Sequence, residues 1–211
     1  RGGGLMDGIR YLWRNPQLRA TFLMLFFIGT LGLNFPIYIS TMSVTVFHRG
    51  PGGYGLATSV MAVGSLLGAL ATAARGRPTT PLLVVAAAAF GGACALAASM
   101  PTFLLFALSL TVVGVSVQTF TTGANAFVQL STDAAMRGRL ISLFMAVALG
   151  AAPIGAPLVG WVADHFGPRW ALLLATAGGL SAALGGLALG ASRRAVAATT
   201  PVDSARAAPG G

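Results

Sequence analysis

Six long apolar runs without a charged side chain constrain the fold of this chain more than any other feature. Each run reaches or exceeds the roughly 18–20 residues that an α-helix needs to cross the hydrocarbon core of a bilayer. We number them as the first to sixth spans, at 20–47, 54–74, 81–99, 101–128, 140–163 and 170–190. The alternating hydrophobicity of an outer-membrane barrel is absent from the sequence. The sequence therefore predicts an all-α integral membrane protein with six transmembrane helices.

The few charged residues exclude a soluble surface and predict the orientation of the spans. Only 8% of the 211 residues are charged, as 13 arginines and four aspartates, which is too few to cover a soluble domain. Six crossings place Arg49 and Arg169 on one side of the membrane. They place eleven arginines on the other side, namely Arg1, Arg10, Arg14, Arg19, Arg75, Arg77, Arg137, Arg139, Arg193, Arg194 and Arg206. The positive-inside rule makes this second side cytoplasmic, with both termini inside. Because these arginines lie at helix ends, we expect no nucleic-acid partner.

Short polar segments flank the six spans. In 1–19, Leu5, Ile9 and Leu12 share one helical face, which predicts a cytoplasmic connector with a short amphipathic helix that ends at Asn15 and Pro16. The sequence leaves open whether this helix is a plain linker or has a coupling role. Residues 20–190 form the predicted six-helix bundle, and 191–211 is a predicted disordered cytoplasmic tail. The chain begins with Arg1 rather than Met, so we expect it to be cut from a longer one.

Polar side chains are concentrated in the first and fourth spans, whereas the third has none before Ser99. Such groups are costly in hydrocarbon unless they face protein or water. We therefore expect the first and fourth spans to line a pathway or partner surface and the third and sixth to face lipid. The predicted pathway residues are Asn34, Tyr38, Gln118, Thr122 and Asn125; the last three share one helical face. The alternative, that these groups only bond neighbouring helices, stays open.

Prolines predict three hinges inside the spans. Pro36 lies between Asn34 and Tyr38 in the first span, and Pro153 and Pro157 lie in the glycine-rich second half of the fifth. Each proline removes a backbone donor, which favours a kink. A break near Pro36 also frees backbone carbonyls for a solute or water.

An internal repeat links the two halves of the chain. The fifth span ends in GWVADHFGPR (160–169), and the second ends in GALATAARGR (68–77), on the opposite membrane face. The polar first and fourth spans and the apolar third and sixth also correspond. The sequence therefore predicts an inverted three-plus-three repeat, an arrangement typical of transporters.

Two stretches resemble a known family. NAFVQLSTDAAMRGRLIS (125–142) and GAAPIGAPLVGWVADHFGPR (150–169) resemble the C-terminal half of a major facilitator superfamily transporter. The nearest resemblance is to the bacterial branch that includes the enterobactin exporter and macrolide efflux proteins. IRYLWRNPQLR (9–19) is similar to the connector into that family's seventh helix. The resemblance implies a twelve-helix parent in the bacterial inner membrane, of which this chain supplies helices seven to twelve.

The resemblance also implies gate residues in the loops. The family's Gly-x-x-x-Asp-x-x-Gly-x-Arg pattern is intact as Asp164, Gly167 and Arg169, but its cytoplasmic copy lacks the Asp and keeps Arg75 and Arg77. For Asp164 we weigh a gate-latching contact against an ordinary surface position. The remaining gate and loop residues are Asp133, Arg137 and Arg139. For Asp133 we weigh an i,i+4 pair with Arg137 against a latch to the missing half.

The residue inventory predicts a transporter rather than an enzyme. It contains no metal-ligand set, no catalytic carboxylate pair and no nucleotide loop, so we expect no cofactor. The leading hypothesis is export of a small amphipathic or lipophilic solute, drug- or siderophore-like, by alternating access. Proton coupling would reside in the missing N-terminal half, since no acid lies within these spans. The alternative is a non-transporting six-helix assembly or a partner-binding membrane protein.

Overall fold

A computed structural model describes residues 4–199, which are all helix and connecting loop. Six of the helical stretches are long and apolar enough to cross a membrane, as predicted. The first to sixth spans run over Pro16–Val46, Pro51–Ala74, Thr80–Ser99, Phe103–Leu130, Ala134–Phe166 and Pro168–Leu189. A separate helix over Leu5–Arg14, the connector helix, precedes them and ends at Asn15.

Most of these helices begin where the sequence supplies a helix-start residue. Proline occupies the first turn of the first, second, third and sixth spans, where its missing N–H needs no helical partner. The fourth span begins instead after Thr102, whose hydroxyl accepts a hydrogen bond from the Leu105 amide at 3.4 Å. These local signals keep the loops short and fix where each span enters the membrane.

The first span is the interrupted one. Its α-helix Pro16–Phe27 passes into a π-helical segment, Ile28–Gly32, and the helix then breaks before Phe35–Thr41. Pro36 lies in the first turn of this second helix, next to the break. The fifth span, by contrast, continues as one helix over Ala134–Phe166 through both of its prolines.

The last helix is longer than the sequence predicts. Its backbone continues to Thr199, nine residues past the predicted end of the sixth span, where we expected a disordered tail from residue 191. The stretch 191–199 is rich in alanine and arginine, which are strong helix formers, so the helix has no local reason to stop. The rest of the predicted tail, 200–211, lies outside the described residues.

Two contacts between distant residues define one end of the bundle. The Tyr11 hydroxyl donates to the Asp133 carboxylate at 3.0 Å, and Arg139 lies 3.9 Å from the Asp7 carboxylate. The connector helix therefore lies on the loop between the fourth and fifth spans. This is the arginine-rich end, which we call the inner end.

The opposite, outer end holds the other two arginines. The Arg49 guanidinium lies 5.5 Å from the centre of the Phe103 ring. The Arg169 guanidinium reaches the end of the third span. The seven predicted cytoplasmic arginines whose side chains the structure describes thus lie at one end of the bundle, and the other two lie at the opposite end.

Glycines bring the second and fourth spans into backbone contact. A methyl group added at Gly64 would overlap the Thr111 carbonyl, and one added at Gly68 would overlap the Val115 carbonyl. In a bilayer, where there is no hydrophobic force between helices, such close approach is a main source of attraction.

The first and fifth spans, and the third and sixth, pack in the same manner. A methyl group at Gly155 would overlap the Thr30 carbonyl, and one at Gly179 would lie 2.7 Å from the Gly91 amide nitrogen. The sixth span also packs on the first through a glycine, since a methyl group at Gly178 would lie 3.0 Å from the Phe27 carbonyl oxygen. Glycines therefore mediate at least four of the helix pairs in the bundle.

The third span, which we expected to face lipid, packs closely against its neighbours and exposes only one side, which includes Val85 and Leu96. In the most apolar stretch of the third span 56% of the residues are buried, the same share as in the fourth span. Its alanines and glycines allow neighbouring helices to approach closely. An absence of polar groups is equally compatible with lipid and with a tight helix interface. The sixth span is intermediate at 39%, and the least buried are the second and the fifth, at 22% each.

Candidate functional site

A row of hydrogen-bonding side chains runs along the inner half of the fourth span. We call it the polar stripe, and it consists of Gln118, Thr122, Asn125 and Gln129. The Gln118 amide Nε2 donates to the Thr122 hydroxyl at 3.1 Å, and Gln129 Nε2 donates to the Asn125 Oδ1. All four side chains are at least partly exposed on the bundle surface. The structure thus brings the predicted residues Gln118, Thr122 and Asn125 together on one accessible face.

Sequence reasoning missed Gln129. It lies four residues after Asn125 and seven after Thr122, so it continues the helical spacing of the other three. That spacing was the signal that could have found it. Gln129 extends the stripe to the inner end of the span.

The polar stripe keeps unused hydrogen-bonding capacity. Within the described residues, Gln118 Oε1, Asn125 Nδ2 and Gln129 Oε1 form no further protein hydrogen bond. Amides that face hydrocarbon are costly, so this face needs water, a solute or another polar surface. None of its groups carries a charge, so it can bind by hydrogen bonds and contact alone.

The outer half of the fourth span exposes apolar side chains. Leu104, Leu108 and Val112 are exposed there, at 64%, 54% and 48%. Exposed polar groups of the fourth span are therefore concentrated in its inner half.

The two predicted pathway residues of the first span lie elsewhere. Asn34 and Tyr38 are 5% and 1% exposed, and they bond their own span rather than the polar stripe. Asn34 Nδ2 donates to the Thr30 carbonyl at 2.8 Å, and the Tyr38 hydroxyl donates to the Leu31 carbonyl. The interrupted helix leaves these carbonyls without their usual donors, and the two side chains satisfy them. A pathway role for these two residues stays a prediction, and the structure shows them bonded within their own span.

The predicted cytoplasmic gate residues divide into two groups. Arg75, Arg77 and Arg137 are exposed, whereas Asp133 and Arg139 contact the connector helix. Among the described residues, no ion pair joins Asp133 to Arg137; only a backbone bond of 3.0 Å does. The carboxylate is used instead by Tyr11, whose hydroxyl also accepts from the Asp133 amide at 3.4 Å.

At the outer end, Arg169 has a structural partner that the sequence did not indicate. Its guanidinium donates to the Ala98 carbonyl at 2.7 Å and to the Met100 carbonyl at 2.9 Å. These groups lie at the end of the third span, where helix carbonyls lack partners. Asp164 is exposed and forms no ion pair with any described residue.

The three predicted hinge prolines are all exposed. Pro36 lies beside the break in the first span, and Pro153 and Pro157 lie on the exposed side of the unbroken fifth span. No group of three His, Cys or acidic side chains within residues 4–199 lies close enough to hold a metal ion.

One curated relative is similar to this chain. It is the multidrug efflux pump Tap of Mycolicibacterium fortuitum, 27% identical over 167 residues. The match covers 78% of the chain but only 40% of the relative, so the chain spans about two fifths of that protein's length. No protein-family model matches the sequence. A distant similarity to an efflux transporter thus joins the finding of six membrane-spanning helices.

Proposed function

We propose that this chain is one six-helix half of a major facilitator superfamily exporter. It would move a small amphipathic or lipophilic solute outward across the bacterial inner membrane by alternating access. The observation that carries this proposal is the polar stripe, a hydrogen-bonding surface left accessible in an otherwise apolar bundle. Such a surface suits a water-filled or solute-filled pathway.

The relative supports the direction and class of transport. Tap is named as a multidrug efflux pump, and the chain aligns with about two fifths of it. That share is what one half of a longer transporter would give. We place the resemblance within the branch that includes the enterobactin exporter and macrolide efflux proteins.

The helix pairing supports an inverted repeat. If the first three spans correspond to the last three, the pair formed by the second and fourth spans corresponds to the pair formed by the fifth and first. Gly64 meets the Thr111 carbonyl in one pair, and Gly155 meets the Thr30 carbonyl in the other. The third and sixth spans correspond to each other and pack together through Gly91 and Gly179. This is the pairing that a two-fold relation requires.

The most exposed spans indicate where the other half would pack. The second and fifth spans are the least buried, and both carry large apolar side chains on the open face, including Leu66, Leu70, Ile154 and Leu158. We assign this face to the missing N-terminal half. The exposed Arg75 and Arg137 would then form gate contacts with it at the inner end, and Asp164 would do so at the outer end.

Orientation and energy coupling follow from charge. The inner end carries the arginines, so we place it and both termini in the cytoplasm. No carboxylate lies at mid-depth in these spans, since Asp133 and Asp164 lie at their ends. A proton carrier would therefore belong to the other half.

The test is efflux by the complete protein with the polar stripe removed. We expect the triple variant Gln118→Ala, Asn125→Ala and Gln129→Ala to raise the solute concentration for half-maximal efflux by about tenfold or more, since each lost hydrogen bond weakens binding. The measurement is transport of a panel of lipophilic solutes into inverted vesicles.

The matched control removes polar atoms away from the stripe. Ser59 and Ser142 are exposed and bond only carbonyls of their own helices, so Ser59→Ala with Ser142→Ala should leave efflux unchanged. Unaltered efflux and solute range in the triple variant would contradict the proposal, and a non-transporting partner-binding protein would replace it.

A further inference from the structure

A second feature, separate from the polar stripe, lies at the inner end of the bundle. A cavity of about 670 Å³ opens there between the starts of the first and third spans, the loop between the second and third spans, and the end of the sixth. We call it the inner groove. Its volume lies within the range of small-molecule binding sites.

The lining of the inner groove is graded from polar to apolar. Gln17, Thr79 and Thr80 lie at the start of the first and third spans, at the membrane boundary. Val84 and Val85 lie about one helical turn, roughly 5–6 Å, further into the third span. An occupant with a polar end at the surface and an apolar end in the bilayer matches this order.

The charge around the groove is of one sign. Arg77 is exposed and directly precedes Pro78, which forms part of the wall, whereas the Arg19 guanidinium lies over the Trp13 ring, 5.8 Å from its centre. No aspartate contributes to the lining. The surroundings therefore favour an anion at the mouth.

Arg77 at the inner end lacks the structural role that Arg169 has at the outer end. At the outer end, Arg169 donates to the carbonyls that close the third span. At the inner end, the sixth span does not close but continues as helix to Thr199, so its carbonyls there receive helical bonds. Arg77 is exposed in the loop, and the corner that Arg169 fills at the other end is open here.

We propose that the inner groove binds an anionic phospholipid. One acyl chain lies against Val84, Val85 and Leu187, and the phosphate is bound at the mouth by Arg77. Basic pockets between helices on the cytoplasmic side of a membrane suit anionic headgroups. The proposal does not depend on transport activity, because it concerns a lateral face of the bundle at its inner end.

The test is lipid binding to the complete protein purified in detergent. Native mass spectrometry would compare phosphatidylglycerol with phosphatidylcholine of the same acyl chains. We expect phosphatidylglycerol to bind about fivefold more tightly, the effect of one arginine at a membrane surface, and Arg77→Ala to abolish this preference. Val85→Trp with Leu187→Trp, which fills the groove from two exposed positions, should weaken binding of both lipids.

Two control variants match these changes. Arg137→Ala removes an exposed arginine of the same end, and Leu96→Trp enlarges an exposed side chain of the same third span outside the groove. Both should leave lipid binding as in the unmodified protein. Equal binding of the two lipids, or an equal loss in the control variants, would overturn the proposal.

A second measurement needs no variant and so does not depend on variant folding. Phosphatidylglycerol with a photoreactive group on its acyl chain should label peptides containing Val84–Val85 or Leu187. Labelling spread evenly over the exposed spans would contradict a defined groove.

Discussion

Single side chains in this protein mostly satisfy backbone groups where helices end or break. Asn34 and Tyr38 bond carbonyls near the break in the first span, and Arg169 bonds the last carbonyls of the third. In a bilayer no water replaces such partners, so these side chains stabilise irregular backbone. The sequence singled out all three residues, but it predicted a pathway role for Asn34 and Tyr38 and a gate role for Arg169.

Arg169 gives the sharpest prediction at this scale. Replacing it by Ala removes two charge-assisted hydrogen bonds at a partly buried position and should lower the free energy of unfolding by about 2 kcal/mol. Arg169→Lys keeps the charge but not the paired geometry. Its free energy of unfolding should fall between that of the unmodified protein and that of Arg169→Ala. Thermal unfolding of the purified protein measures the change.

The control for this prediction is Arg75→Ala, which removes an exposed arginine from the equivalent turn at the inner end. It should alter stability by less than about 0.5 kcal/mol. If Arg169→Ala and Arg75→Ala had the same small effect, the two carbonyl contacts would contribute nothing to stability.

At the scale of helices, the apolar runs predicted all six spans because length and composition are local properties. The break at Asn34 was also predictable, because Pro36 stands next to it. The sequence did not predict which helices contact one another. Tyr11 and Asp133 are 122 residues apart, and Arg169 and Ala98 are 71 apart, so no local pattern joins them. The burial of the third span was missed because alanine and glycine suit lipid-facing and packed positions alike.

Helix pairing through glycine is testable within the fifth span. We expect Gly155→Ala to lower stability by roughly 1–3 kcal/mol, because its methyl group would overlap the Thr30 carbonyl and push the first and fifth spans apart. Gly150→Ala is the matched control, since nothing lies within 4 Å of a methyl group there. Denaturant or thermal unfolding of both variants provides the comparison, and equal stabilities would show that the glycine contact is dispensable.

At the scale of the whole molecule, glycine-mediated helix contacts hold the bundle together, and the second and fifth spans are the least buried. The fourth span adds the polar stripe. Of this surface the sequence predicted three of four residues, because helical spacing is local. Asn34 and Tyr38 are buried and bond their own helix, which the sequence did not predict, because composition does not determine whether a polar residue faces outward or bonds its own helix.

Solvent access to the polar stripe tests the central claim most directly. In a background in which the buried Cys94 is replaced by Ala, single cysteines would be placed at Gln118, Thr122, Asn125 and Gln129 of the complete protein in vesicles. Leu184→Cys, on the exposed surface of the sixth span, serves as the lipid-facing control. A water-soluble thiol reagent should modify the four stripe positions and not position 184, and a transported solute should slow the modification. If the stripe positions were as unreactive as position 184, no aqueous pathway would run along the fourth span, and the account would be contradicted.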